Sequence, residues 1–161
     1  ALPICRFELK GQLTGGRFAG VRVYDDYAHH PTEVTAVLTA ARDTVRAAGQ
    51  GGRVVACFQP HLYSRTIAFA QQFAAALSLA DAVVLLDIFG AREEPVEGVD
   101  SRIIIDQMDP EVSARTVYEP NFSHAPSTIA GITQAGDLVL TMGAGTVTLL
   151  GDDILATLGE G

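Results

Sequence analysis

Asp25-Asp26-Tyr27-Ala28-His29-His30-Pro31-Thr32-Glu33 follows an apolar run that ends Val21-Arg22-Val23-Tyr24 and precedes a long segment rich in Ala, Val and Leu. That order reads as a strand, a turn and a helix. Pro31 suits the first helical position, and Glu33 suits the positive end of the helix dipole. Two carboxylates, a phenol and two of the four histidines of the chain crowd this one turn. In a parallel α/β sheet such turns lie at the carboxyl ends of the strands, where ligands bind. The density of titratable groups exceeds what capping a helix needs, so the stretch points to function as well as to fold.

Working outward, the first strand signal is upstream, where Phe7, Leu9 and Leu13 alternate with polar residues. Gly15-Gly16 turns the chain, and Phe18 to Tyr24 gives the second strand of a hairpin. Downstream, Val34, Val37, Leu38, Ala41 and Val45 recur at helical spacing, which predicts a helix from Pro31 to about Ala48 that Gly49 to Gly52 ends. Arg53 to Phe58 and Ala82 to Leu86 are continuous apolar strands of the kind buried on both faces of a parallel sheet. Between them lies a helix with Ile67, Phe69, Ala70, Phe73, Ala74 and Leu77 inward, capped by Ser64 or Thr66. Asp87 to Val99 is a polar loop. Ile103 to Met108 reads as a short helix, Val117-Tyr118 as a short strand, Pro126 to Ala135 as a weak helix and Leu138 to Thr141 as the last strand. Met142 to Thr146 turns into a final helix through Leu158. After the hairpin, strands and helices alternate. That predicts an α/β domain, a mostly parallel sheet covered on both faces with an antiparallel strand at its N-terminal end.

The 161 residues suffice for one domain, with residues 1–6 read as the end of a linker and 7–161 as the domain proper. A net charge of -8 argues against non-specific nucleic-acid binding. No basic leader precedes Leu2-Pro3-Ile4, and no apolar run approaches membrane-spanning length, so a reducing cytoplasm is expected. Two cysteines fit no zinc pattern and no disulfide framework; Cys57 lies within an apolar strand. Lys10, the only lysine, is followed by Gly11, so the chain holds no Gly-rich loop ending in Lys-Ser or Lys-Thr to cradle phosphates. Gly143-Ala144-Gly145 lacks the third glycine of a dinucleotide fingerprint and reads as a tight turn.

Three strand-to-helix turns hold the chemistry. If their strands are neighbours, Asp26, Tyr27, His29, His30, His61, Ser64 and Arg65 converge on one rim. Arg65 suits a carboxylate or phosphate, and an ion pair within the protein is equally open to it. Asp26 suits a ribose hydroxyl. Asp25 reads as a cap or loop hydrogen bond, Glu93-Glu94 as solvated loop charge, and His124 takes no role.

The motifs Asp25 to Glu33, Phe58-Gln59-Pro60-His61-Leu62-Tyr63-Ser64-Arg65-Thr66, Asp87-Ile88-Phe89-Gly90-Ala91-Arg92-Glu93-Glu94-Pro95 and Met142-Gly143-Ala144-Gly145 resemble, in this order, the C-terminal domain of the Mur ligases. The opening Arg6 to Gly11 resembles the start of that domain. The resemblance covers nearly the whole chain and is closest to the branch that joins L-alanine to UDP-N-acetylmuramate. It implies a Rossmann-like three-layer domain that closes over ATP and Mg2+, both held mainly by a central domain, while an N-terminal domain holds the UDP-sugar. It implies an acyl phosphate as intermediate in peptidoglycan precursor synthesis. Asp26 and His30 are then expected at the nucleotide; Tyr27, His29, His61, Ser64 and Arg65 at the amino acid and the muramate end. No metal ligand is expected in this domain, which is expected to be inactive alone. Leu62 stands where many relatives have arginine, and Cys5 where a second arginine is common. Two other readings compete: a metal-dependent hydrolase using Asp25, Asp26, His29, His30 and His61, and a non-catalytic nucleotide-binding module.

Overall fold

The computed structural model describes residues 6–161. Apart from Arg6, the linker reading for 1–6 lies outside the described residues, and so does Cys5. Six strands form one sheet: β1 (Glu8–Gln12), β2 (Arg22–Asp26), β3 (Val54–Phe58), β4 (Ala82–Leu86), β5 (Thr116–Glu119) and β6 (Leu138–Met142). Their spatial order is β1-β2-β6-β3-β4-β5. Only β1 pairs antiparallel, with β2; the other four pairings are parallel. Every residue of β3, β4 and β6 is buried, as their continuous apolar sequence requires of strands covered on both faces.

The helices are α1 (Pro31–Ala48), α2 (Tyr63–Leu77), α3 (Arg102–Ile105), α4 (Pro110–Ser113), α5 (Ala125–Ile132) and α6 (Leu150–Gly159). The apolar stripes of α1 and α2, with Ile104 of α3, cover one face of the sheet around Phe58, Phe73 and Leu140. On the other face α5 and α6 pack against Val55, Val84 and Val139. The five inward positions expected in α1 are all buried, and Gly49 ends the helix in the left-handed conformation at φ 65°.

Several expectations change. β2 starts at Arg22, because Phe18 to Gly20 form a turn. Phe18 is nevertheless buried against the core, so its apolar character mimics a strand residue. A register shift between Leu9 and Gly11 breaks the alternation of β1 and leaves Leu9 exposed. Ile67, expected inward, is 49% exposed. Phe69 has non-helical backbone angles, φ -120° and ψ 20°, which shifts the first turn of α2 out of phase, so Thr66 faces the core instead. A 3-10 turn, Thr146–Leu149, precedes α6, another (Phe122–His124) precedes α5, and α4 adds a turn that the sequence pattern did not mark.

β6 between β2 and β3 matters most for the site. The first two motifs are therefore not on adjacent strands. The glycine turn after β6 lies between them, and it must be thin. A Cβ at Gly143, where φ is 152°, would lie 2.9 Å from the Gln59 carbonyl oxygen, and one at Gly145 would lie 2.7 Å from Gln59 Oε1. Gln59 holds this turn: its Nε2 donates to Thr146 Oγ1 at 3.0 Å and its Oε1 accepts from the Val147 N–H at 3.0 Å.

Candidate functional site

Because β2, β6, β3 and β4 run parallel, the turns that follow them share one rim. Four of the expected site residues meet there. The Tyr27 and His29 rings are 5.2 Å apart edge to face, His29 and His61 are 6.1 Å apart, and Phe89 stacks on His61 at 5.9 Å. Arg65 Nη1 donates to His61 Nδ1 at 3.1 Å, one helical turn along α2. Phe89 enters by backbone bonds: its N–H donates to Pro60 O and its carbonyl accepts from Leu62 N. Leu62 takes φ 74° to make this link, a positive φ that a leucine tolerates only when its surroundings fix it.

The hydrogen bonds fix the imidazole tautomers. A guanidinium only donates, so His61 Nδ1 accepts and the neutral ring carries its proton on Nε2. Burial lowers the His61 pKa below its ordinary 6.5, and the neighbouring Arg65 and His29 lower it further. His29 is the opposite case. Its Nδ1 faces the Tyr27 carbonyl oxygen at 2.9 Å, which only accepts, so Nδ1 holds the proton and Nε2 is the bare nitrogen. Glu33 Oε1 stands 3.5 Å from His29 Nδ1. It also accepts from the backbone N–H of His30 at 3.0 Å and of His29 at 3.3 Å. Burial pushes the Glu33 carboxyl up, but those N–H groups and the two imidazoles together outweigh it and hold the carboxyl below its ordinary range.

His30 is set apart from this group. It is the N-cap of α1, its Nδ1 accepting from Thr32 N at 3.3 Å, and its ring lies edge-on to Phe69 of α2 at 5.1 Å. Asp26 ends β2 and is buried. Its two oxygens accept from Phe7 N at 2.6 Å and Ala28 N at 2.8 Å, which ties the start of the domain to the motif. Burial, with the charge of Asp25 beside it, raises its pKa against the two bonds, which lower it. Each oxygen keeps a further lone pair for a ligand hydroxyl. A cavity of about 380 Å³ opens beside it, lined by Phe7, Asp26, Tyr27, His29, Glu33 and Ala36 among others.

Ser64 and Thr66 do not cap α2 as expected. Thr66 Oγ1 turns back to the Leu62 carbonyl at 2.7 Å, and the Ser64 hydroxyl and N–H (3.1 Å) both donate to Glu93. Glu93 is therefore the cap, supplied by a loop 29 residues away, which no local pattern announces. Its bonds to Ser64 hold its carboxyl below the ordinary range. Asp25 serves the scaffold, accepting from Thr141 Oγ1 at 2.5 Å and Thr148 Oγ1 at 2.8 Å.

These placements remove the hydrolase reading. Asp25 is committed to two threonines and His30 to its cap, and among the described residues no group of three His, Cys, Asp or Glu could hold a metal ion. Cys57 is fully buried and its thiol is pushed up to about 12, so it is inert. No described helix is long and apolar enough to cross a membrane.

Comparison with known proteins gives the family. The family described as Mur ligase, glutamate ligase domain, matches residues 5–145. A UDP-N-acetylmuramate–L-alanine ligase of Saccharopolyspora erythraea is 57% identical over 151 residues, which are 94% of this chain and 29% of that protein. The solved UDP-N-acetylmuramate–alanine ligase of Thermotoga maritima superposes with a TM-score of 0.69 at 21% identity, over 95% of this chain and 29% of that one. A murein peptide ligase of Psychrobacter arcticus gives 0.70 at 23% identity, over 96% and 30%. The two structural likenesses speak for the fold alone. The chain spans about 30% of the length of the curated relatives it matches.

Proposed function

Since the chain belongs to the Mur ligase family through that family's glutamate ligase domain, we propose that it is the C-terminal, closing domain of a cytoplasmic ATP-dependent ligase joining L-alanine to UDP-N-acetylmuramate. The observation that carries the choice of reaction is the 57% identity with a relative named for it. In this reading ATP phosphorylates the muramate carboxylate, the amine of L-alanine attacks the acyl phosphate, and the amide, ADP and phosphate leave. N-terminal and central domains of the same polypeptide supply the UDP-sugar site, the phosphate cradle and the Mg2+ ligands, for which this chain has no lysine-bearing loop and no described acidic cluster.

The described residues fit the remaining tasks. Arg65 is a cation of the rim, and its guanidinium grips the carboxylate of the amino acid or the charge that develops on the acyl phosphate. His61 Nδ1 holds Arg65 in place. Tyr27 and His29 form the opposite wall, and Ser64, anchored to Glu93, fixes the start of α2. Asp26 offers its free lone pairs to the ribose, and His30 flanks it at the head of α1. Closure of the domain brings this rim to the acyl phosphate and excludes water. The test is a product assay on the full-length protein with ATP, Mg2+ and UDP-N-acetylmuramate. The reading expects an alanine amide that forms only when all are present. Turnover with a peptide in place of alanine, and none with alanine, would overturn the choice of alanine as acceptor.

A further inference from the structure

The incoming amino group reaches the site as an ammonium, which has no lone pair, so some group must accept its proton before attack. We propose that His29 is that acceptor, with Glu33 as the carboxylate that orients its ring and supports the imidazolium. The proposal rests on the ligase reading above and adds to it the role of one side chain.

The rim offers three imidazoles, and only one presents a bare nitrogen. His61 spends the lone pair of Nδ1 on Arg65, and His30 spends that of Nδ1 on Thr32 N–H, so each carries its proton on Nε2. His29 donates Nδ1–H to the Tyr27 carbonyl, which leaves Nε2 as an acceptor. Among the described residues this nitrogen has no partner. The carboxylates are poorer candidates. Asp26 binds two backbone N–H groups, and Glu33 binds two backbone N–H groups while lying 3.5 Å from His29. A base held by a hydrogen bond on one ring nitrogen, beside a fixed carboxylate, with the other nitrogen unpartnered, is an arrangement suited to general-base catalysis.

The step balances. His29 Nε2 takes one proton from the ammonium, and the freed lone pair attacks the acyl carbon. The C–N bond forms and the C–O bond to phosphate breaks, its electron pair passing to the phosphate oxygen. The second proton of the attacking nitrogen goes to the leaving phosphate, and the imidazolium later returns its proton to water. The His61 Nε2–H, on the facing ring, is a donor and complements this acceptor.

The experiment uses the full-length protein with ATP and UDP-N-acetylmuramate and lets L-alanine compete with hydroxylamine. Hydroxylamine is uncharged at neutral pH and needs no base, so hydroxamate reports the acyl phosphate itself. His29→Gln is expected to lower the ratio of amide to hydroxamate about 100-fold, to act on kcat more than on the KM for alanine, and to abolish the acid limb of the alanine pH profile. The charged and titratable groups facing His29 are Glu33 from α1, Tyr27, His61 with Arg65 behind it, and Arg6 and Asp26 across the shared cavity. Glu33→Gln removes the anion nearest the ring and is expected to lower the same amide-to-hydroxamate ratio several-fold. An unchanged ratio in His29→Gln, or one restored by saturating alanine, would overturn the assignment. So would an unchanged ratio in Glu33→Gln, which decides the matter if the His29 variant makes no hydroxamate. Absence of both products from the wild-type protein is a different failure: it overturns the ligase reading, and this proposal with it.

Discussion

The carboxylate of Glu93 receives both the hydroxyl and the N–H of Ser64, so the helix that carries Arg65 is capped by a loop from the next strand along the sheet. The loop and the helix are further joined by the Leu62–Phe89 backbone bond. Glu93→Ala is expected to lower the melting temperature by only a few degrees, the cost of a lost helix cap in an exposed position. It is expected to raise the KM for alanine several-fold, with a ceiling of about 100-fold for a misplaced contact group. Steady-state kinetics of the full-length protein check this, and an unchanged KM would show that the cap does not position Arg65.

At the opposite end of the sheet, Asp137 is 1% exposed and gathers Arg53 Nη2 at 2.8 Å, Arg53 N at 2.9 Å and Gln134 N at 2.8 Å. Removing it strands two backbone donors and leaves the Arg53 guanidinium only water and its bond to the Ile132 carbonyl. Asp137→Ala is expected to cost about 3 kcal/mol. Disrupting the exposed pair Asp100–Arg102 should move denaturant unfolding little. Equal effects would mean that burial does not set the difference.

Two glycines are expected to answer alanine in opposite directions. Gly143→Ala drives a Cβ to 2.8 Å from Val147 Cγ1 and 2.9 Å from Gln59 O at a φ of 152°, and should destabilise by about 2 kcal/mol. Gly131 lies in α5 with nothing within 4 Å of a new Cβ, and Gly131→Ala should stabilise by about 0.5–1 kcal/mol. Thermal melts of the two variants decide it.

His61 is expected to titrate below 6.5 in an NMR pH series, and Arg65→Ala to raise its pKa only part of the way back, because burial is the larger cause. The unfolded chain holds the His61 proton more tightly, so the contribution of this residue is complete above 6.5 and is lost as pH falls through that value toward the folded pKa. A His61 that titrates above 6.5 would contradict the Arg65 contact.

Much of this was legible in the chain because it was local. The apolar runs of β3, β4 and β6 carry their burial in their composition, and α1 shows its inward face at regular spacing. What escaped was non-local. Nothing near Leu138–Met142 says that β6 inserts between β2 and β3. Glu93 reads as a solvated charge until the fold brings Ser64 to it. Ile67 looks like a core residue until the break at Phe69 turns it outward. His29, His61, Arg65 and Tyr27 do converge as their turns suggested, whereas the capping bond of His30 draws it toward Phe69.

The central claim, that this rim receives the amino acid and the reacting carboxyl group, is tested most directly by alanine-dependent phosphate release from the full-length protein and its Arg65→Ala variant, with ATP, Mg2+ and UDP-N-acetylmuramate supplied. The account predicts release that requires alanine in the wild type and falls by about 100-fold in the variant, the scale of losing one charge-stabilising contact. Release that ignores alanine, or a variant as fast as the wild type, would contradict it.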